Sequence, residues 1–231
     1  MSEITPAEWT AILLSLRVAV IATLVATPFG IALAWLLARY NFWGKSVLDA
    51  LVHLPLVLPP VVTGYLLLLT LGRRGLVGAW LADHLGIVFA FRWTGAALAC
   101  GVMSFPLLVR PIRLSIEAID RRLEQAASTL GAAPWRVFAT ITLPLALPGI
   151  LAGMVLGFAK AIGEFGATIT FVSNIPGETQ VISSAIYSLI QTPDGDAAAA
   201  RLVIISVVIA TSALIASEWF ARRATQRLHG N

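Results

Sequence analysis

The chain has 231 residues, of which 58% are hydrophobic and only 12% charged, and its mean hydropathy is +0.86. A soluble fold would have to bury several apolar runs of about 20 residues in one small core, so the composition selects a polytopic α-helical membrane protein. The mild net charge of +4 says little about cargo, and no nucleic-acid partner is expected.

Glu3 and Glu8 stand where a secretory signal would be basic, so the first apolar run is expected to be retained. That run covers 10–38, longer than a bilayer requires. Residues 18–37 alone would span, leaving Arg17 near an interface, and Pro28 is predicted to bend the helix. Gly44-Lys45-Ser46 looks like the end of a phosphate loop. However, Arg39 occupies the position where that motif requires glycine, and no strand precedes it, so no nucleotide site is expected. The second span, 48–71, contains HLPLVLPP at 53–60, and three prolines so close cannot sit in a regular helix. His53 beside them reads as structural. Residues 72–93 are too short and interrupted to cross, and read as interfacial or re-entrant. The third span, 94–116, carries Pro106 and Pro111. It also holds Cys100, the only cysteine, which reads as a small packing residue.

A polar, helix-compatible segment follows at 124–144, within a loop running from 117 to 148. Good helix formers lead to Leu130, Gly131 can end that helix, and Pro134 suits the first turn of another. Trp135, Phe138, Ala139 and Thr142 fall at helical spacing and predict a compact docking face, although an interfacial amphipathic helix would give the same pattern. Pro144 and Pro148 are predicted to stop this helix and re-aim the chain.

The fourth span, 149–172, opens with Gly149, Gly153 and Gly157, a close-packing stripe suited to an intrasubunit contact or a dimer seam. Lys160 and Glu164 are one turn apart and can pair. A neutralised pair locking helix packing is the simpler reading, and an anion route past Lys160 is the functional one. Thr168, Thr170, Ser173 and Asn174 could offer donors to an oxyanion, or the two threonines could bond their own backbone. The fifth span is 202–220. No metal-ligand spacing or catalytic motif appears, so no enzyme and no metal site is expected.

Lysine and arginine counts orient the chain. With the 117–148 loop cytoplasmic, that side receives ten of the 16 (Arg39, Lys45, Arg110, Arg113, Arg121, Arg122, Arg136, Arg222, Arg223, Arg227). The outer side receives four, Arg73, Arg74, Arg92 and Arg201, while Arg17 and Lys160 lie in or near the membrane. The positive-inside rule then puts the N-terminus outside and the C-terminus in the cytoplasm.

Glu124, Gln125, Ala126, Ala127, Gly131, Ile141, Leu143 and Pro144 together resemble the EAA loop of ABC-importer permeases, the mechanical contact with an ATPase in that family. Gln125 stands where the family usually has glutamate, with Glu124 displaced by one, which puts that glutamate's salt bridge in doubt. The segments 53–68, 72–78, 123–150 and 163–179 look more narrowly like the bacterial molybdate-transporter permeases, a likeness running over about 9–220. The resemblance implies an all-α type I ABC-importer permease fold with five transmembrane helices in one domain, 1–231, in the bacterial plasma membrane. It also implies a homodimer of this permease, two cytoplasmic ATPase subunits that bind ATP and magnesium, and an extracytoplasmic molybdate-binding protein. No cofactor is expected in this chain. In that setting Trp135 and Phe138 belong to the coupling loop, while Lys160, Glu164, Thr168, Thr170, Ser173 and Asn174 are candidates for the translocation path. A sulfate-type oxyanion permease is the alternative, and a gradient-driven secondary transporter a weaker one, because matching halves and midplane coordinating groups are not evident.

Overall fold

The computed structural model describes residues 4–229, with side chains to Ala216, and every regular element among them is helical. Glu3 and the side chains of Phe220, Arg222, Arg223 and Arg227 lie outside the described part.

Helix α1 (Pro6–Arg39) begins earlier than hydropathy suggests. Thr5 and Glu8 form a reciprocal capping box, and Pro6 sits in the first turn. The helix runs unbroken through Pro28. Glu8 also receives a 2.9 Å bond from Arg201, tying the start of α1 to the last helix.

The proline-rich second span is not one rod. Helices α2 (Lys45–Val57) and α3 (Pro60–Leu71) meet at 115°, with Pro59 as N-cap and Pro60 in the first turn of α3. His53 Nδ1 lies 2.8 Å from the Asp49 carbonyl, so its role is local to α2. Helix α4 (Leu76–Leu85) has ten residues, about 15 Å at 1.5 Å per residue, half of what a crossing needs. Helix α5 (Trp93–Glu117) matches the predicted third span and contains both prolines.

The fourth span differs from expectation at both ends. Helices α6 (Arg121–Thr129) and α7 (Pro134–Val137) are followed by a π turn, Phe138–Thr142, and then by α8 (Leu143–Ile162). Pro134–Ile162 is one continuous helix, so Pro144 and Pro148 lie inside it and stop nothing. At the far end α8 stops at Ile162, and 163–165 turn the chain into a separate short helix α9 (Gly166–Val172). Helices α10 (Ile182–Leu189) and α11 (Asp196–His229) complete the chain, the spanning part of the latter being Asp196–Ala216. Among the described residues four helices are long and apolar enough to cross a membrane, and five spans result if the bent α2–α3 pair is counted as one.

Helices α1, α5 and α8 form the centre. One core cluster joins Val18, Ala22, Ala96, Cys100, Met103 and Phe171; a second joins Ala34, Leu108, Ile112, Ile116, Ala146 and Ile150. Small residues dominate the first cluster, because helices in lipid gain by close backbone approach, not by hiding apolar groups from water. Cys100 is buried and its thiol reaches the Ala161 carbonyl at 3.5 Å, as a packing residue should. The glycine stripe faces α5: a Cβ on Gly149, Gly153 or Gly157 would meet Pro111, Ser115 or Leu108. It is therefore an intrasubunit seam. Large apolar side chains such as Phe29, Leu24, Ile204 and Val208 point outward from α1 and α11.

Arg17 lies with its guanidinium 3.8 Å from the ring centre of Trp93, at the first turn of α5. Its charge is thereby held against an aromatic face at a helix end, consistent with an interfacial position.

Candidate functional site

Two places collect the residues singled out from the sequence. The first is α6 and the turn after it. Asp120 caps α6 by accepting from the Arg122 amide at 2.9 Å. The helix ends as its sequence requires: Gly131 has φ +83°, the Ala132 amide bonds the Ala127 carbonyl and the Gly131 amide bonds that of Ser128. This is the Schellman arrangement, which needs a left-handed residue at that place. A Cβ there would meet no neighbour, so the restriction is one of backbone alone. Gly131→Ala should cost about 1 kcal/mol of local order. Tryptic cleavage of the loop at Arg122 and Arg136 should then quicken about fivefold; an unchanged rate would contradict the cap.

The face proposed from helical spacing divides. Trp135 is 67% exposed and Ala139 is exposed, whereas Thr142 is buried and Phe138 packs edge-on against Trp35 at 5.4 Å. Each pair is four residues apart, so Trp135 and Ala139 share the outward side of the helix while Phe138 and Thr142 share the inward one. Ile141 is half-buried, Leu143 packs on the second core cluster, and Pro144 is exposed. What projects outward is Gln125, Ala126, Leu130 at 89% exposure, and Trp135. Ala127 is half-buried.

Glu124 points inward. Its Oε1 accepts from Arg39 Nη2 at 2.9 Å, Arg39 Nε at 3.1 Å and Thr142 Oγ1 at 2.6 Å. Glu124, one place before Gln125, thus makes a salt bridge with Arg39 within the chain. Sequence reasoning missed Arg39, which is 85 positions away and carried only a charge-count signal. These groups border a recess of about 520 Å³, lined by Trp35, Arg39, Arg121, Glu124 and Gln125 among others.

The second place is the α8–α9 turn. Lys160 Nζ and Glu164 Oε2 are 2.7 Å apart, with the glutamate side chain 1% exposed and the lysine 28%. The other glutamate oxygen accepts from the Ala167 amide at 3.0 Å, and the Glu164 carbonyl accepts from Ser183 Oγ at 2.8 Å. The pair thus pins the turn between α8 and α9, in line with the packing reading. Thr168 and Thr170 donate to the carbonyls of Phe165 and Gly166, so their hydroxyls serve the α9 backbone. Ser173 is exposed at φ +67°, and Asn174 Nδ2 donates to Ser188 Oγ at 2.7 Å. The stretch 173–180 is a self-tied turn in which the amides of Glu178, Thr179 and Gln180 all reach the Ile175 carbonyl. Lys160, Glu164 and Thr168 come together; Ser173 and Asn174 sit at the other end of α9. A groove of about 690 Å³ between α1, α2 and α5 is lined by Ile21, Val25, Leu51, Phe89 and Phe105 among others and suits apolar contents, not an anion.

Long apolar helices, a bent α2–α3 pair and an exposed helix-turn-helix between α5 and α8 define an ABC-importer transmembrane subunit of type I architecture. The backbone matches, with a TM-score of 0.76, the structure titled "Crystal structure of bacterial alginate ABC transporter in complex with alginate pentasaccharide-bound periplasmic protein", at 21% identity over 96% of this chain and 81% of that one. It also matches the MetNI methionine ABC transporter, in inward-facing conformation, at TM-score 0.65 and 15% identity over 97% and 99%. Residues 26–226 match the family described as "Binding-protein-dependent transport system inner membrane component", and the chain belongs to that family. It is 62% identical to the molybdenum transport system permease protein ModB of Escherichia coli K12, over 97% of this chain and 98% of the relative. It is 58% identical to ModB of Haemophilus influenzae, over 96% of each, and 39% to the sulfate transport system permease protein CysT of E. coli, over 85% and 70%.

Proposed function

We propose that this chain is the permease of an ATP-driven importer that carries molybdate, and its chemical analogue tungstate, into the cytoplasm. The observation that carries the cargo is the gap between 62% identity to a molybdenum permease over nearly the full length and 39% to a sulfate permease over less of it. Two copies of the chain would form the path, two separate ATPase subunits would bind ATP and magnesium, and an extracytoplasmic protein would deliver the anion. The N-terminus is assigned to the outside and the C-terminus to the cytoplasm, because the lysine and arginine distribution favours it. The 117–148 loop then meets the ATPase, for which the exposed Leu130 and Trp135 offer an apolar contact.

Transport in this scheme needs only different affinities in the inward- and outward-open states, so a tight cage within the path is unnecessary. Lys160 supplies the positive charge near α9, balanced by Glu164, while selectivity belongs to the delivering protein. ATP binding draws the coupling loops together and opens the path outward; hydrolysis resets it.

The test is uptake in cells lacking their own molybdate and sulfate permeases, with this chain expressed alongside its neighbouring ATPase and binding protein. Labelled molybdate should accumulate and labelled sulfate should not. Sulfate uptake with molybdate excluded would move the chain to the sulfate-type class. ATP-independent uptake driven by an ion gradient would overturn the importer reading itself.

A further inference from the structure

We infer that Glu124 is a positioning residue, a latch that joins the coupling segment to the transmembrane helices, and not a residue that faces the ATPase. The inference rests on the importer reading above and adds to it the route by which a push on the loop reaches the membrane.

Three elements converge on one carboxylate oxygen. Arg39 is the last residue of α1, Thr142 the last of the π turn leading into α8, and Glu124 lies in the first turn of α6. The arginine and glutamate side chains are 9% and 17% exposed, so their attraction is screened less than that of a surface pair. Two further bonds strap the same corner: Arg39 Nη2 to the Ile119 carbonyl at 3.5 Å, and Arg121 Nη2 to the Ala38 carbonyl at 3.4 Å. The latter supplies a donor to one of the carbonyls that the end of α1 leaves without an intrahelical partner. Gln125, the next residue, is exposed and uncharged, as are Ala126 and Leu130. The one carboxylate of α6 is aimed into the protein, so the exposed side of that helix carries no acidic group, its charges there being Arg121 and Arg122.

A displacement of α6 is therefore passed to α1 through Arg39 and to α8 through Thr142. Without the carboxylate, α6 is held by its short connections to α5 and α7 and can move while the spanning helices stay in place. The loss expected is one of coupling.

The experiment uses the permease co-expressed with its ATPase, purified and reconstituted in liposomes with the binding protein and molybdate. Molybdate moved per ATP hydrolysed should fall about tenfold in Glu124→Gln, within the usual range of coupling between sites. Arg39→Gln should do the same, and the double variant should be no worse than either single, as for two residues acting through one bond. Thr142→Val, which removes only the hydroxyl, should give a smaller loss in the same direction and serves if the charge variants fail to accumulate. An unchanged ratio in Glu124→Gln or Thr142→Val, or additive losses in the double variant, would overturn the latch while leaving the importer reading intact. A wild-type preparation that retains no ATPase would overturn both.

Discussion

Lys160→Met should destabilise the protein by about 3 kcal/mol, and more than Glu164→Gln does. Removing one partner of a buried ion pair strands the other, and the cost follows the burial of the stranded charge. Methionine at 160 would leave a carboxylate that is 1% exposed; glutamine at 164 would leave an ammonium on a flexible stem that is 28% exposed and can turn toward water or headgroups. Glutamine also keeps an oxygen for the Ala167 amide, which Glu164 now accepts at 3.0 Å. The double variant Lys160→Met, Glu164→Gln should recover most of the loss, because no charge remains unpaired. Unfolding can be followed in detergent by a thiol-reactive fluorophore, since Cys100 is the only cysteine and is buried. Equal losses for the two single variants, or no recovery in the double, would show that the pair is not what pins the turn. Uptake measured on the recovered double variant then asks a separate question, whether a positive charge is needed in the path.

Much of this architecture can be read from the chain because its signals are local. Hydropathy finds the long helices, Gly131 and Pro134 punctuate the coupling segment, and the four-residue spacing of Lys160 and Glu164 predicts their bond. The misses have physical causes as well. GEFG at 163–166 lies in an apolar run, so hydropathy sees one span where Glu164 turns back to cap the next helix. Pro144 reads as a stop because a proline ring collides with the carbonyl four residues back. The π turn removes the conflict by bonding the Leu143 amide to the Phe138 carbonyl five residues back, and the helix continues. The face drawn from regular spacing is too wide, since Trp135 and Ala139 lie outward while Phe138 and Thr142 lie inward. The Arg39–Glu124 bond joins positions 85 apart, which no local pattern connects.

The glycine stripe of α8 should give opposite outcomes at positions that look alike in sequence. At Gly153 a Cβ would lie 2.5 Å from the Leu108 carbonyl oxygen, and at Gly149 it would lie 2.7 Å from that of Pro111 while colliding with Ser115 Cβ. These obstacles are mainly backbone, so α5 and α8 must separate to admit a methyl group. At Gly157 the nearest atoms are side-chain carbons of Leu108 at 3.6 Å, an ordinary contact. Alanine favours a helix over glycine by about 1 kcal/mol, which the substitution gains at all three sites. At Gly157 that gain should stand or be neutral. At Gly149 and Gly153 overpacking should outweigh it, with a net loss of about 2 kcal/mol each. The two sites share one interface, so Gly149→Ala with Gly153→Ala should cost less than twice either single, because the first methyl already opens the seam for the second. Melting of the four variants by the Cys100 probe should rank Gly157→Ala at or above wild type, the other singles well below, and the double lowest. A uniform loss at all three glycines, opposite in sign to the helix-propensity gain, would mean that the local clearance against α5 does not set the stability of this stripe.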